Sequence, residues 1–92
     1  MLLHYETEAD AHAAAMRLRA MGPHARRLLE ECVETQELKR KKVSAAAQML
    51  SDSGFIFIRD SGDMWQAEVT LSPSLAGEEA LEALEWNEER LR

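Results

Sequence analysis

At Gly54 the hydrophobic period of this chain changes from helical to strand-like, and that change limits the possible folds more than any other feature. Up to it, apolar residues recur at helical spacing. After it, Phe55-Ile56-Phe57-Ile58 is aromatic and β-branched, and Trp65, Ala67, Val69 and Leu71 alternate with Gln66, Glu68 and Thr70. Two strands are predicted. The segment Arg59-Asp60-Ser61-Gly62-Asp63-Met64 between them has the turn chemistry of a hairpin, with Gly62 free to take positive φ. Trp65 is expected in the core, where it and the two phenylalanines close the hairpin onto the preceding helix. Ser72 before Pro73 then reads as an N-cap ahead of a first-turn proline. Glu78 and Glu79 favour a helix start there, and Leu81, Leu84 and Leu91 mark the apolar side of a C-terminal helix running to Leu91. Gly77 is expected to weaken its first turn.

The part before Gly54 predicts helices. Thr7 and Asp10 resemble a capping box, and Ala11, Ala14, Ala15, Leu18 and Met21 form one apolar stripe up to Gly22-Pro23. Met1 to Tyr5 is suited to a short edge strand. Pro23 fits the first position of a second helix, whose stripe is Leu28, Leu29, Cys32 and Val33. No Gly or Pro occurs from His24 to Ser53, so residues 35–43 admit two readings. One is a continuous rod, with Leu29, Gln36, Val43 and Leu50 at spacing seven. The other, preferred, is a break near Glu37 to Arg40 and a third helix from about Lys41 to Asp52, closed by Gly54 in the left-handed region.

Helices followed by a hairpin and a last helix define an α+β fold, and 92 residues suffice for one domain spanning 1–92. Fourteen of the hydrophobic residues are alanine, so the core is thin and association with a second copy or a partner is favoured. The apolar side of the last helix, with Leu81, Leu84, Trp86 and Leu91, is the expected homodimer interface. No apolar run approaches the roughly 20 residues that cross a bilayer. The start carries no secretory-signal pattern, and a lone cysteine fits a reducing compartment. The expectation is a soluble cytoplasmic protein with no membrane partner.

The net charge of −6 is unevenly spread: residues 1–50 hold eight Lys or Arg against seven Asp or Glu, and residues 51–92 hold three against ten. Local field decides where a polyanion lands, so the run Lys39-Arg40-Lys41-Lys42, with Arg17, Arg19 and the pair Arg26-Arg27 as the other cations of the front half, allows a local basic patch on an acidic protein.

The segment Val43-Ser44, then Leu50, Gly54-Phe55-Ile56, followed by Val69-Thr70-Leu71-Ser72-Pro73, resembles the winged helix-turn-helix domains of MarR-type regulators over roughly residues 28 to 84. The resemblance implies three helices, a β-hairpin wing and a C-terminal helix, with the third helix at a major groove of duplex DNA. It assigns nucleic-acid contacts to Lys39, Arg40, Lys41 and Lys42, with Ser44 and Gln48 able to hydrogen-bond a base edge and Arg59 on the wing. Ala45, Ala46 and Ala47 offer only apolar contact to a thymine methyl, so binding is expected to rest on phosphates more than on bases. The alternative is an acidic adaptor or inhibitor of the kind carried by phages and mobile elements. It would keep the frame without reading DNA and meet a basic protein partner through Asp60, Asp63, Glu68, Glu78, Glu79, Glu82, Glu85, Glu88 and Glu89.

Enzymatic chemistry has no constellation to support it. His4, His12 and His24 are scattered, and a metal site needs three or four convergent ligands. Cys32 lies on a buried stripe and reads as a small core residue. Neither Gly-rich phosphate motif occurs. The chain is read as non-enzymatic, with no catalytic residue, metal or cofactor.

Overall fold

The computed structural model describes residues 8–90; the strand expected over Met1 to Tyr5, the Thr7 cap and Leu91 lie outside them. Four helices and a three-stranded antiparallel sheet form an α+β arrangement: α1 (Glu8–Ala20), α2 (Pro23–Thr35), β1 (Leu38–Arg40), α3 (Ala45–Asp52), β2 (Ile56–Asp60), β3 (Val69–Pro73) and α4 (Leu75–Arg90). The strand order is β1-β3-β2, so the last strand in the sequence lies in the middle. No helix among the described residues is long and apolar enough to cross a membrane.

The alanine stripe of α1 and the Leu29 and Cys32 stripe of α2 are buried as their spacing predicts. Small side chains on α1 let α4 approach closely, and Leu81 and Leu84 of α4 join Leu18 in the same core cluster. This corrects the expected dimer face: Leu81 and Leu84 are covered by the chain's own helices, and among the described residues of that set only Trp86 stands out, 59 % exposed. Burial of Cys32 raises its thiol pKa, with Glu31 adding to the effect, so the protonated, unreactive form is favoured.

The break between α2 and α3 is present, one residue earlier than expected. Gln36 takes φ 67°, its N–H donates to the Cys32 carbonyl at 2.7 Å, and the chain leaves α2 in a new direction. The connection is nevertheless no tight turn. Residues 36–44 include β1, whereas a helix-turn-helix joins its helices by about three to four residues. The third helix accordingly begins at Ala45, not near Lys41.

The corner after α3 is a complete Schellman motif. Gly54 has φ 78° and donates to Ser51 O at 2.9 Å, while Phe55 N–H donates to Leu50 O at 2.9 Å. Leu50 and Phe55 provide its accompanying apolar contact, and both are fully buried. Ser74 ties α4 to this corner. Its N–H donates to Phe55 O at 2.9 Å, its hydroxyl donates to Gly54 O at 2.6 Å, and the Ser74 Oγ accepts from Gly77 N–H at 3.0 Å. The N-cap of α4 is therefore Ser74. Ser72 and Pro73, expected as cap and first turn, finish β3, where Pro73 lies opposite Ile56.

The hairpin is present, but its second strand starts at Val69, four residues later than the alternation suggests. Asp63 explains the delay. Its carboxylate accepts from Trp65 N–H and Gln66 N–H, both at 2.8 Å, and its own N–H donates to Gln66 O at 3.0 Å. A side chain that satisfies two backbone donors in this way closes a local turn and removes them from a strand ladder. Trp65 and Ala67 fall in the loop, and Trp65, expected in the core, is 87 % exposed. Phe57 is also outside the core: it occupies the sheet face turned away from the helices.

Candidate nucleic-acid interface

Antiparallel register sets the two faces of the sheet. Leu38, Leu71 and Ile58 stand in one row and face the helices; Lys39, Thr70 and Arg59 stand in the next and face away. Neighbouring strands lie about 4.8 Å apart, so the backbones bearing Lys39 and Arg59 are roughly 10 Å apart across β3. Two residues along the strands, the next outward row contains Ser72 and the exposed Phe57. Thr70, predicted to point outward, does so yet is buried, and its hydroxyl meets that of Ser61 at 2.8 Å.

The four-cation run is therefore divided. Lys39 and Arg40 belong to the edge strand β1, whereas Lys41 and Lys42 occupy the link into α3, and all four are exposed. Arg40 meets Glu31 of α2 at 3.0 Å. Lys39, Lys41 and Lys42 form no ion pair among the described residues. Arg59 reaches Glu37 only at 4.0 Å with both side chains largely in water, a pairing worth little. An open pocket of about 490 Å³ lies between β1 and the β2–β3 loop, lined by Lys39, Arg40, Lys41, Gln66, Ala67 and Glu68.

On α3, Ser44 caps the helix by accepting from Ala47 N–H at 3.1 Å, a role that stabilises by about 1 kcal/mol and occupies the hydroxyl expected at a base edge. The outer face of α3 shows Ala45, Gln48, Met49 and Asp52. The Gln48 amide donates to the Asp52 carboxylate at 2.9 Å. This helix thus carries a negative charge, and its only exposed amide is already engaged. Register brings Lys39 and Arg59 together on the outward face of the sheet, whereas Ser44 caps α3 and Gln48 lies on that helix's outer face.

The β2–β3 loop holds the features missed by the alternation. Ser61 and Gly62 both donate to Glu68 O at 3.0 Å, and Gly62 N–H also reaches Asp60 Oδ1 at 3.2 Å. Met64 and Trp65 project from the resulting turn, 91 % and 87 % exposed. The signal available beforehand was Asp63 itself, since an Asp two and three residues before backbone donors is a turn former. Those same donors lower the Asp63 pKa below the ordinary carboxylate value. A carboxylate so lowered stabilises its turn fully above the unfolded value, about 3.9, and loses that contribution as pH falls through the folded one. The Trp65 and Gln66 amide resonances should stay fixed from neutral pH to about pH 5, then move toward random-coil positions in stronger acid. Resonances that did not move between about pH 5 and about pH 2 would contradict this account of the turn.

Among the described residues, no three His, Cys, Asp or Glu side chains converge on a point where a metal ion would sit. His12 instead meets Asn87 at 2.9 Å, joining α1 to α4. No family model, no curated protein and no solved structure matches the chain.

Proposed function

We propose that the chain is a small non-enzymatic DNA-binding regulatory protein on a winged-helix frame of the MarR-like kind. In this reading the β2–β3 loop is the wing, and the phosphate backbone is the main ligand. The observation that carries it is the exposed run Lys39 to Lys42 along the edge strand and its lead into α3, with Lys39 in register with Arg59 across the sheet. Cations fixed on a strand and its neighbours hold a defined spacing against a polyanion, which a solvated charged tail does not. The α3 face supplies little base readout, so affinity should depend on salt far more than on sequence.

A gel-shift titration with random duplex tests this. The expected result is binding whose logarithm falls linearly with the logarithm of salt, at about 0.9 per phosphate neutralised. Replacing Lys39, Arg40, Lys41 and Lys42 together by alanine should flatten that slope by two to three contacts or more, on the order of a hundredfold in affinity at moderate salt. An unchanged slope would remove the basic run from the interface.

The protein-adaptor reading is favoured by a different observation, the exposed Met64 and Trp65 at a turn flanked by Asp60, Asp63 and Glu68. Aromatic anchors with an acidic rim suit a basic protein partner. Such a protein would ignore duplex DNA at every salt concentration in the same titration. Leu81 and Leu84 are committed to the core, so a homodimer would have to meet through other residues, with Trp86 exposed on the same helix.

A further inference from the structure

We infer that the outward face of the sheet, and not α3, is the nucleic-acid surface, and that its ligand is a single strand, with a base stacked on Phe57 and phosphates on Lys39 and Arg59. This rests on the nucleic-acid reading above and narrows it to a ligand class.

Three observations lead here. Phe57 is 62 % exposed on an ordered strand, where its aromatic ring has no place in the core. An exposed ring on a rigid backbone offers a flat surface to any base, because every base has a π-face. Lys39 and Arg59 then stand in the adjacent row of the same face, on either side of the buried Thr70. Aromatic and cationic groups on one sheet surface are the recurring equipment for holding unpaired nucleotides, with stacking for bases and charge for the backbone.

The third observation concerns duplex. A helix that enters a major groove needs free donors and acceptors on its outer face, and a carboxylate there serves only a cytosine amino group. The outer face of α3 has Asp52, a Gln48 already bonded to it, and alanine. Phosphates approaching α3 would meet that carboxylate, whereas phosphates crossing the sheet meet Lys39 and Arg59. Glu37 and Glu68 are carboxylates near this row: Glu68 lines the pocket beside Lys39, and the 4.0 Å approach of Glu37 to Arg59 leaves the guanidinium free to turn to a phosphate.

Fluorescence anisotropy with labelled oligothymidine, oligouridine and a random duplex tests the inference on the full chain. The expected result is tighter binding of a single strand than of duplex at equal salt, the two oligonucleotides telling DNA from RNA. Phe57→Ala should weaken the single strand by about tenfold, the size of one lost stack, and leave duplex unchanged. Phe57→Trp should restore it, which a merely structural role would not do. Phe57 is on the surface, so these variants should keep the wild-type circular dichroism. Tighter binding of duplex, or an equal loss on both ligands in Phe57→Ala, would overturn the inference while leaving the DNA reading standing. Binding to none of the three would overturn both.

Discussion

Phe55→Ala should cost about 3–5 kcal/mol and Phe57→Ala less than about 0.5 kcal/mol, although the two residues are separated by a single position. Phe55 is fully buried at the turn from α3 into β2, in the same cluster as Leu18, Leu50 and Leu84. The Arg17 guanidinium of α1 lies over its ring, 5.9 Å from the centroid. The ring thus joins elements from both ends of the chain. Removing it leaves a cavity that rigid backbone corners on either side cannot close, which is where truncation costs most. A 92-residue domain has only about 5–15 kcal/mol in total, so the Phe55 variant should be largely unfolded at moderate urea. Urea titrations followed by circular dichroism give both values, and comparable midpoints for the two variants would disprove this assignment of the core.

The second large effect is expected at Gly77, and its sign is the informative part. Glycine in a helix normally gives up about 1 kcal/mol to alanine, so propensity alone makes Gly77→Ala stabilising. The backbone argues the reverse. A Cβ at Gly77 would lie well inside van der Waals contact of the Phe55 carbonyl oxygen, and the Phe55 carbonyl carbon and Cα are also too close. These are backbone atoms. They cannot swing aside as a side chain tip can, and the Phe55 carbonyl is already held by Ser74 N–H. Overpacking of this kind costs about 3 kcal/mol, or a fall in melting temperature on the order of 15 °C for a domain this size. A thermal melt in which Gly77→Ala is as stable as the parent would mean that α4 does not approach the α3–β2 corner so closely.

The elements read well from sequence were those whose cause is local. The stripes of α1 and α2 and the left-handed Gly54 follow from period and backbone preference, which need no knowledge of neighbours. Gly77 shows the opposite case: as a helix residue it looks like a weakness, and only the carbonyl of a distant residue explains it. Leu81 and Leu84 carry the same lesson. An apolar stripe states that something covers it, and the partner here is the alanine face of α1, not a second molecule. Alternation predicts Trp65 inward, but two hydrogen bonds to Asp63 hold Trp65 and Gln66 in the turn, and the strand begins only at Val69. In the candidate interface the cations were legible as residue types. Their division between β1 and the link into α3 was not, since three residues dominated by charge give no strand period.

The position of β1 at the sheet's edge gives its cations a second consequence. An edge strand leaves a row of backbone donors and acceptors open, and lysines placed there keep neighbouring molecules from adding their own strands. Stripping the charges to probe phosphate contacts would also unguard that edge, and loss of binding would then be confused with precipitation. Reversing them to glutamate keeps copies apart while still repelling phosphate, which makes it the cleaner tool for the bench.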